Sequence, residues 1–270
     1  MKYATNKNKA PINRVCRLLK ISRTVYGYSA KNHDDAEIKE ALEMLVKKHV
    51  RRGFKKCFDK LRLDGHLWNH KRVYRVYCEL GLNLRKKPKK RFPAREKQVL
   101  AQPDDINLTW SMDFMSDALI DGRKFRTLNI IDDFNREALK IVAARSLTSK
   151  YVTHYLDEVS QVRGYPQALR TDNGPEYISH VLKDWAKLHD VKLIYIQPGK
   201  PAQNAYIERF NRTYREEVLD MYLFKNIQEV QEITDKWSYD YNHERPHESL
   251  KSMTPFGYAM KHSNSTNSLY

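Results

Sequence analysis

Residues 109–145, TWSMDFMSDALIDGRKFRTLNIIDDFNREALKIVAAR, decide the fold. Three runs with strand periodicity, 109–119, 125–133 and 138–145, are separated by short polar connections, which predicts an antiparallel meander. Downstream, Thr148 is placed to cap a helix running to about Val162, and Gln167–Thr171 reads as a short strand. A helix is expected near 178–189, with Val181, Leu182, Trp185 and Leu188 along one face, followed by a strand over 192–196. The turn-rich Gln197-Pro198-Gly199-Lys200-Pro201 leads into a long helix beginning near Ala202–Ala205. A last helical stretch, about 226–243, ends in the loop YNHERPHESL. The order β-β-β-α-β-α-β-α predicts an α/β fold built on a mixed five-stranded sheet with helices around it.

Three carboxylates stand out against this frame. Asp113 falls in mid-strand between Met112 and Phe114, where a charge needs a partner or a metal. Asp172 follows a short strand, at the carboxyl end where open α/β sheets place ligands; Asp172-Asn173-Gly174 is also a turn signal in its own right. Glu208 lies near the start of a helix, where an acid also complements the helix dipole. Carboxylates suit hard divalent cations, and three that converge can hold two ions about 3.5–4 Å apart for in-line displacement at phosphorus. Arg215, seven positions beyond Glu208, falls within roughly 20° of the same helix face, and Arg212, four positions on, lies on a neighbouring row. Both suit a DNA phosphate beside the ions, although Glu208 and Arg212 equally suit an i,i+4 ion pair. Asp132 and Asp133 close the second strand and read as turn residues. His243, Arg245 and His247 suit either a phosphate-contacting loop or packing.

Charge is distributed unevenly along the 270 residues. Residues 1–100 hold 28 Lys and Arg against 9 Asp and Glu, while 101–270 hold 21 against 24, so the net charge of +16 comes from the front end. A basic face with interleaved aromatics is the footprint of a nucleic-acid binder. Helical patterns are expected over 35–50, from Phe54 to about Leu63, and from the cap Asn69 to Gly81. The last two, joined by a turn bearing Asp64-Gly65, form a helix-turn-helix candidate whose Lys71, Arg72 and Arg75 are placed for phosphates or base edges. The domains expected are a basic segment over 1–34, a helix-turn-helix-like module over 35–84, a basic linker over 85–105, a catalytic core over 106–261 and a disordered tail over 262–270. Cys16, Cys57 and Cys78 form no CxxC pair and predict reduced core thiols in a cytoplasmic protein. No signal peptide or membrane span is expected.

WSMDFMSDALIDGRKFRTLNIIDDFNREAL, LRTDNGPEY, QPGKPAQNAYIERFNRTYREEVLD and YNHERPHESLKSMTP together resemble the integrase-like core of bacterial insertion-sequence transposases. More narrowly, the chain resembles the second-frame (OrfB) protein of the insertion-sequence-three family, and NHKRVYRVYCELGLNLRKK is similar to the module preceding that core. The resemblance implies an RNase H-like fold, Asp113, Asp172 and Glu208 as a DDE triad, and two Mg²⁺ or Mn²⁺ ions. It implies DNA strand cleavage and strand transfer at element ends, a homo-oligomer on DNA, and an upstream-frame (OrfA-like) partner or fusion. Gln203 and Asn204 stand just before Glu208 in the family word and are expected to position DNA or the glutamate. At the level of sequence two other readings stay open: a non-catalytic DNA-binding remnant, and an RNase H-type nuclease.

Overall fold

The computed structural model describes residues 11–28, 34–84, 100–197 and 201–267. The chain divides into two compact units, Met1–Glu40 and Ala41–Tyr270. The first holds two short helices, α1 (Ile12–Leu18) and α2 (Arg23–Gly27), the latter capped by the Ser22 hydroxyl, which accepts from Val25 N at 3.1 Å.

The second unit is built on five strands: β1 (Thr109–Ala118), β2 (Lys124–Asp132), β3 (Ala138–Ala144), β4 (Ala168–Thr171) and β5 (Lys192–Tyr195). Their order is β3-β2-β1-β4-β5. The first three form the expected antiparallel meander, while β4 and β5 run parallel to β1. Period-2 alternation sends Trp110, Met112, Leu128 and Ile130 to one face, where they pack with residues of α6 (Ser149–Arg163) and α7 (His180–Leu188). The opposite face carries Met115, Phe125, Ile131 and Ile141. It packs under α8 (Ala205–Tyr214) and α9 (Ile227–His243) through Phe210, Tyr214, Val230 and Tyr241. The result is the mixed five-stranded sheet between helical layers that the periodicity predicts.

Ahead of the sheet stand α3 (Ala36–Lys48), α4 (Phe54–Leu63) and α5 (His70–Glu79). The Asn69 side chain accepts from Lys71 N at 2.9 Å, fixing the start of α5. Gly65, at φ +90°, makes the turn between α4 and α5. Arg62 holds the same turn by donating to the carbonyls of His66 (3.2 Å) and Trp68 (3.0 Å). From Ala41 onward this module and the core are one compact unit rather than two bodies joined by a linker. Lys48 pairs with Asp240 at 3.1 Å, Lys60 with Glu244 at 3.1 Å, and Ser252 donates to Asp59 at 2.8 Å.

Three further features differ from the sequence reading. The tail expected to be unstructured from His262 is helical through Asn267, as part of α10 (Pro255–Asn267). No proline or second glycine interrupts that helix after Gly257, and His262 packs on the Phe134 ring at 4.8 Å and pairs with Asp105. The long helix beyond Glu208 does not continue as an α-helix: Arg215–Leu219 is a π-helical turn, with Asp220 N donating to Arg215 O at 2.8 Å. Cys78 is exposed, whereas Cys16 and Cys57 are buried as expected. Most of the expected basic linker, residues 85–99, lies outside the described residues.

Candidate active site

The β1–β4 ladder sets the first two carboxylates. Its pairs run Thr109↔Ala168, Trp110↔Leu169 and Ser111↔Arg170. Continued along the same register, it brings Asp172, just past the end of β4, alongside Asp113, on strands about 4.8 Å apart. Asp113 is half-buried on the sheet face covered by α8, the helix whose first turn carries Glu208. Burial raises the Asp113 carboxyl to about 6; the Phe114 N–H and the Asn211 amide oppose this, while the charges of Asp172 and Glu208 add to it. Burial also raises Glu208, and the charge of Arg212 offsets part of that. The Tyr177 hydroxyl is buried without a partner, and after burial itself the charges of Asp113 and Asp172 hold it well above its usual range. The three carboxylates are therefore electrostatic neighbours. Among the described residues no three acids, histidines or cysteines are already close enough to hold a metal ion.

Each carboxylate has local support. Asp172 closes the expected turn by accepting from Gly174 N at 2.9 Å. A Cβ at Gly174 would stand 3.0 Å from Asp172 Oδ1, so glycine is what fits there. Beneath Asp113, the Phe114 ring stacks on Tyr177 (5.0 Å between centroids, 10° between planes) with the Arg126 guanidinium 4.0 Å from the Phe114 centroid. Arg126 is itself paired with Glu176. Two residues that the sequence reading missed complete the arrangement. Asn211, one turn beyond Glu208, donates to Asp113 Oδ2 at 2.8 Å, and its own Oδ1 accepts from Asn129 at 2.6 Å. Asn129 is the direct cross-strand partner of Asp113. The only signal in the sequence was a polar residue inside the apolar run TLNII and another among the buried positions of α8.

The remaining expected site residues are placed as follows. Arg212 is exposed and makes no ion pair with Glu208 among the described residues. Arg215 turns to the end of β1, donating to Ser116 O at 2.9 Å and Asp117 at 3.3 Å, because the π-helical turn ends the α-helical register there. Gln203 accepts from Gln197 N at 2.9 Å and so ties together the two ends of the intervening loop. Asn204 is buried, its Oδ1 without a partner. Lys71 is exposed and Arg72 half-buried on α5, with Arg75 2.6 Å from Glu79; these three belong to the helix-turn-helix module, not to the carboxylate cluster. Asp132 accepts from the backbone of Asn107 and Phe134, both at 2.8 Å, and Asp133 pairs with Arg170, in keeping with the turn role. Arg245 is buried against Glu217, and His243 stacks on Tyr239, so packing accounts for both.

Residues 104–201 and 189–255 each match an integrase core domain family, and residues 32–91 match an HTH-like domain family. The 31.7 kDa protein of insertion element IS407 from Burkholderia multivorans is 40% identical over 92% of this chain and 90% of its own. The chain belongs to the insertion-sequence-three family of transposases. The 39.2 kDa protein of IS476 from Xanthomonas euvesicatoria is 38% identical over 91% of this transposase and 71% of its own length. InsK of IS150 from Escherichia coli is 24% identical over 92% and 93% respectively. The fold is the RNase H-like integrase core, and the helices ahead of it are the HTH-like module of the same family. No helix among the described residues is long and apolar enough to cross a membrane.

Proposed function

We propose that Asp113, Asp172 and Glu208 are the catalytic triad of this transposase and together hold two Mg²⁺ or Mn²⁺ ions. One observation carries the reading. The β1–β4 register draws Asp172 beside Asp113, and the charge of Glu208 acts on the same carboxyl. The donor set is all carboxylate oxygen, as hard divalent ions require. Three acids that raise one another's proton affinity form a site that a dication stabilises. When bound, the ions supply an activated water and charge stabilisation for in-line displacement at phosphorus. The chain's own contribution is to hold the carboxylates: Asn211 and the Phe114 N–H fix Asp113, the Gly174 turn fixes Asp172, and α8 presents Glu208.

Water opens one phosphodiester at the element end and leaves a 3′-OH. That hydroxyl attacks a target phosphodiester, forming one P–O bond as another breaks, so joining needs neither ATP nor a covalent protein intermediate. Arg212, Arg215, Gln203 and Asn204 contact the DNA nearest the triad, while Lys71, Arg72 and Arg75 contact it from the module. Two ends joined together call for at least two copies of the chain on DNA, working with an upstream-frame protein or fusion in the bacterial cytoplasm.

The test is a Mg²⁺- or Mn²⁺-dependent joining assay on labelled element-end DNA, with wild type beside Asp172→Asn. Joined strands from wild type alone support the reading. Cut ends without joining indicate a nuclease, and no product, even with the upstream frame fused on, indicates a DNA-binding remnant.

A further inference from the structure

A second cluster of charge lies on the other side of α8. Lys56 on α4, Arg136 in the β2–β3 turn, Arg209 on α8 and Arg245 beyond α9 line one cavity of about 570 Å³, all within the same compact unit. Two of these cations are answered locally. Arg245 pairs with Glu217, and the Arg136 guanidinium sits 3.5 Å from the centroid of Tyr206, within the field of Asp133. Lys56 and Arg209 make no ion pair among the described residues, and Glu248 on the rim is taken by Lys55. Behind Lys56, Arg52 is only 3% exposed, with Nε and Nη1 lacking any partner. His247 turns a buried, unpartnered Nε2 toward the same group. Burial and the charges of Arg245, Lys56, Arg52 and Arg136 keep its ring well below the usual range, so it adds no charge of its own. Burial, then Arg245, brings Lys56 down to about 8.

Cations gathered out of water without matching acids destabilise a fold. Their persistence on four separate elements around one cavity calls for an anion. A lysine point charge and arginine forks are the donor set for a phosphate group. Arg209 follows Glu208 directly and leaves α8 about 100° around the helix from it, so a strand drawn along α8 meets both.

We propose that this cavity binds a backbone phosphate of the DNA substrate, with Lys56 and Arg209 as its principal donors. The proposal rests on the transposase reading, but it needs no chemistry at the carboxylates. It therefore predicts the behaviour of the metal-free protein.

The experiment is fluorescence anisotropy of a labelled duplex with the full chain in EDTA, over a range of salt, for wild type, Lys56→Gln and Arg209→Gln. Each variant should lower the salt slope of log K by about 1, the loss of one phosphate contact, equally for any duplex sequence. Arg209 is exposed, so its variant is expected to fold as wild type does. Lys56→Gln removes a sequestered cation and should melt no lower than wild type, whereas a purely structural lysine would melt lower. Unchanged slopes in both variants overturn the proposal. So does a Lys56- and Arg209-dependent rise in melting temperature with inorganic phosphate that leaves the DNA slope untouched, since the site would then serve a free anion. A wild type that fails to bind duplex at all overturns this proposal and the transposase reading together, whereas unchanged slopes on a binding wild type overturn this one alone.

Discussion

Asn211→Ala should separate the positioning of Asp113 from the stability of the core around it. The substitution removes two hydrogen bonds, the 2.8 Å donation to Asp113 and the 2.6 Å acceptance from Asn129. A hydrogen bond to a charged group contributes about 1.5–3 kcal/mol. If that full amount is felt in the transition state, joining slows by about 10- to 100-fold. Asn129 is fully buried, with its Oδ1 already unpartnered, and the substitution strands its amide nitrogen as well. That adds about 1–3 kcal/mol of lost stability, at roughly 2–4 °C of melting temperature per kcal/mol for a domain of this size. Single-turnover joining at saturating Mn²⁺, well below both melting temperatures, reads the first effect without the second. The Asn211 amide also lowers the proton affinity of Asp113, so its loss should shift the acid limb of the pH–rate profile upward. Asn129→Ala alone should slow joining less, and it should couple non-additively with Asn211→Ala. Joining within twofold of wild type, with an unmoved acid limb and a lowered melting temperature, would refute the argument and leave Asn211 as a packing residue.

Two further outcomes are expected. Asp113, raised to about 6 by burial and by its neighbouring carboxylates, has a folded-state pKa above its unfolded one. Its contribution to metal-free stability is therefore full below about pH 4 and lost as pH rises through about 6, whereas stabilisation by added Mg²⁺ must do the reverse, fading as pH falls through about 6. Melting temperatures with and without Mg²⁺ between about pH 5 and 8 check both signs, and an increment independent of pH would exclude Asp113 from the metal site. Arg245→Met leaves Glu217 buried with only the Trp237 indole N–H at 3.0 Å, and should cost about 3–5 kcal/mol in urea unfolding. The double variant Arg245→Met, Glu217→Leu should recover most of that loss; no recovery would mean the pair is not what holds the loop.

The fold was legible wherever burial imposes a strict period. In β1 and β2 every second residue faces a helical layer, so alternation alone located both strands and their turn. Asn69 and Gly65 likewise marked the helix-turn-helix boundaries through cap and turn chemistry that needs no tertiary information. Arg215 was misplaced because seven residues preserve a helix face only while the helix stays α, and the extra residue of the π-helical turn rotates everything after it. Asn211 and Asn129 were invisible for another reason: they matter only once β2 is registered on β1 and α8 is laid across both. The cavity cations, drawn from positions 56, 136, 209 and 245, share no local pattern at all. Local periodicity specifies elements, whereas sites between elements are specified by register and packing.

The docking of the module bears on how DNA reaches the triad. On one side of α9, Asp240 and Glu244 receive Lys48 and Lys60 from the module. On the other, Tyr241 packs against Phe210 of α8 with ring centroids 5.0 Å apart, two residues from Glu208. One helix thus supports both the recognition helices and the helix that carries a catalytic carboxylate. The lysine pairs are partly exposed and contribute little individually, about 0–1 kcal/mol each, so they orient the module more than they stabilise it. The aromatic contacts and the buried Arg245–Glu217 pair supply the stiffness. DNA gripped by α5 is then held in a fixed relation to Glu208 without further ordering of the protein. A scissile phosphate presented by so rigid a frame needs only sub-ångström adjustment to meet the carboxylates, and that is where positioning contributes most to rate.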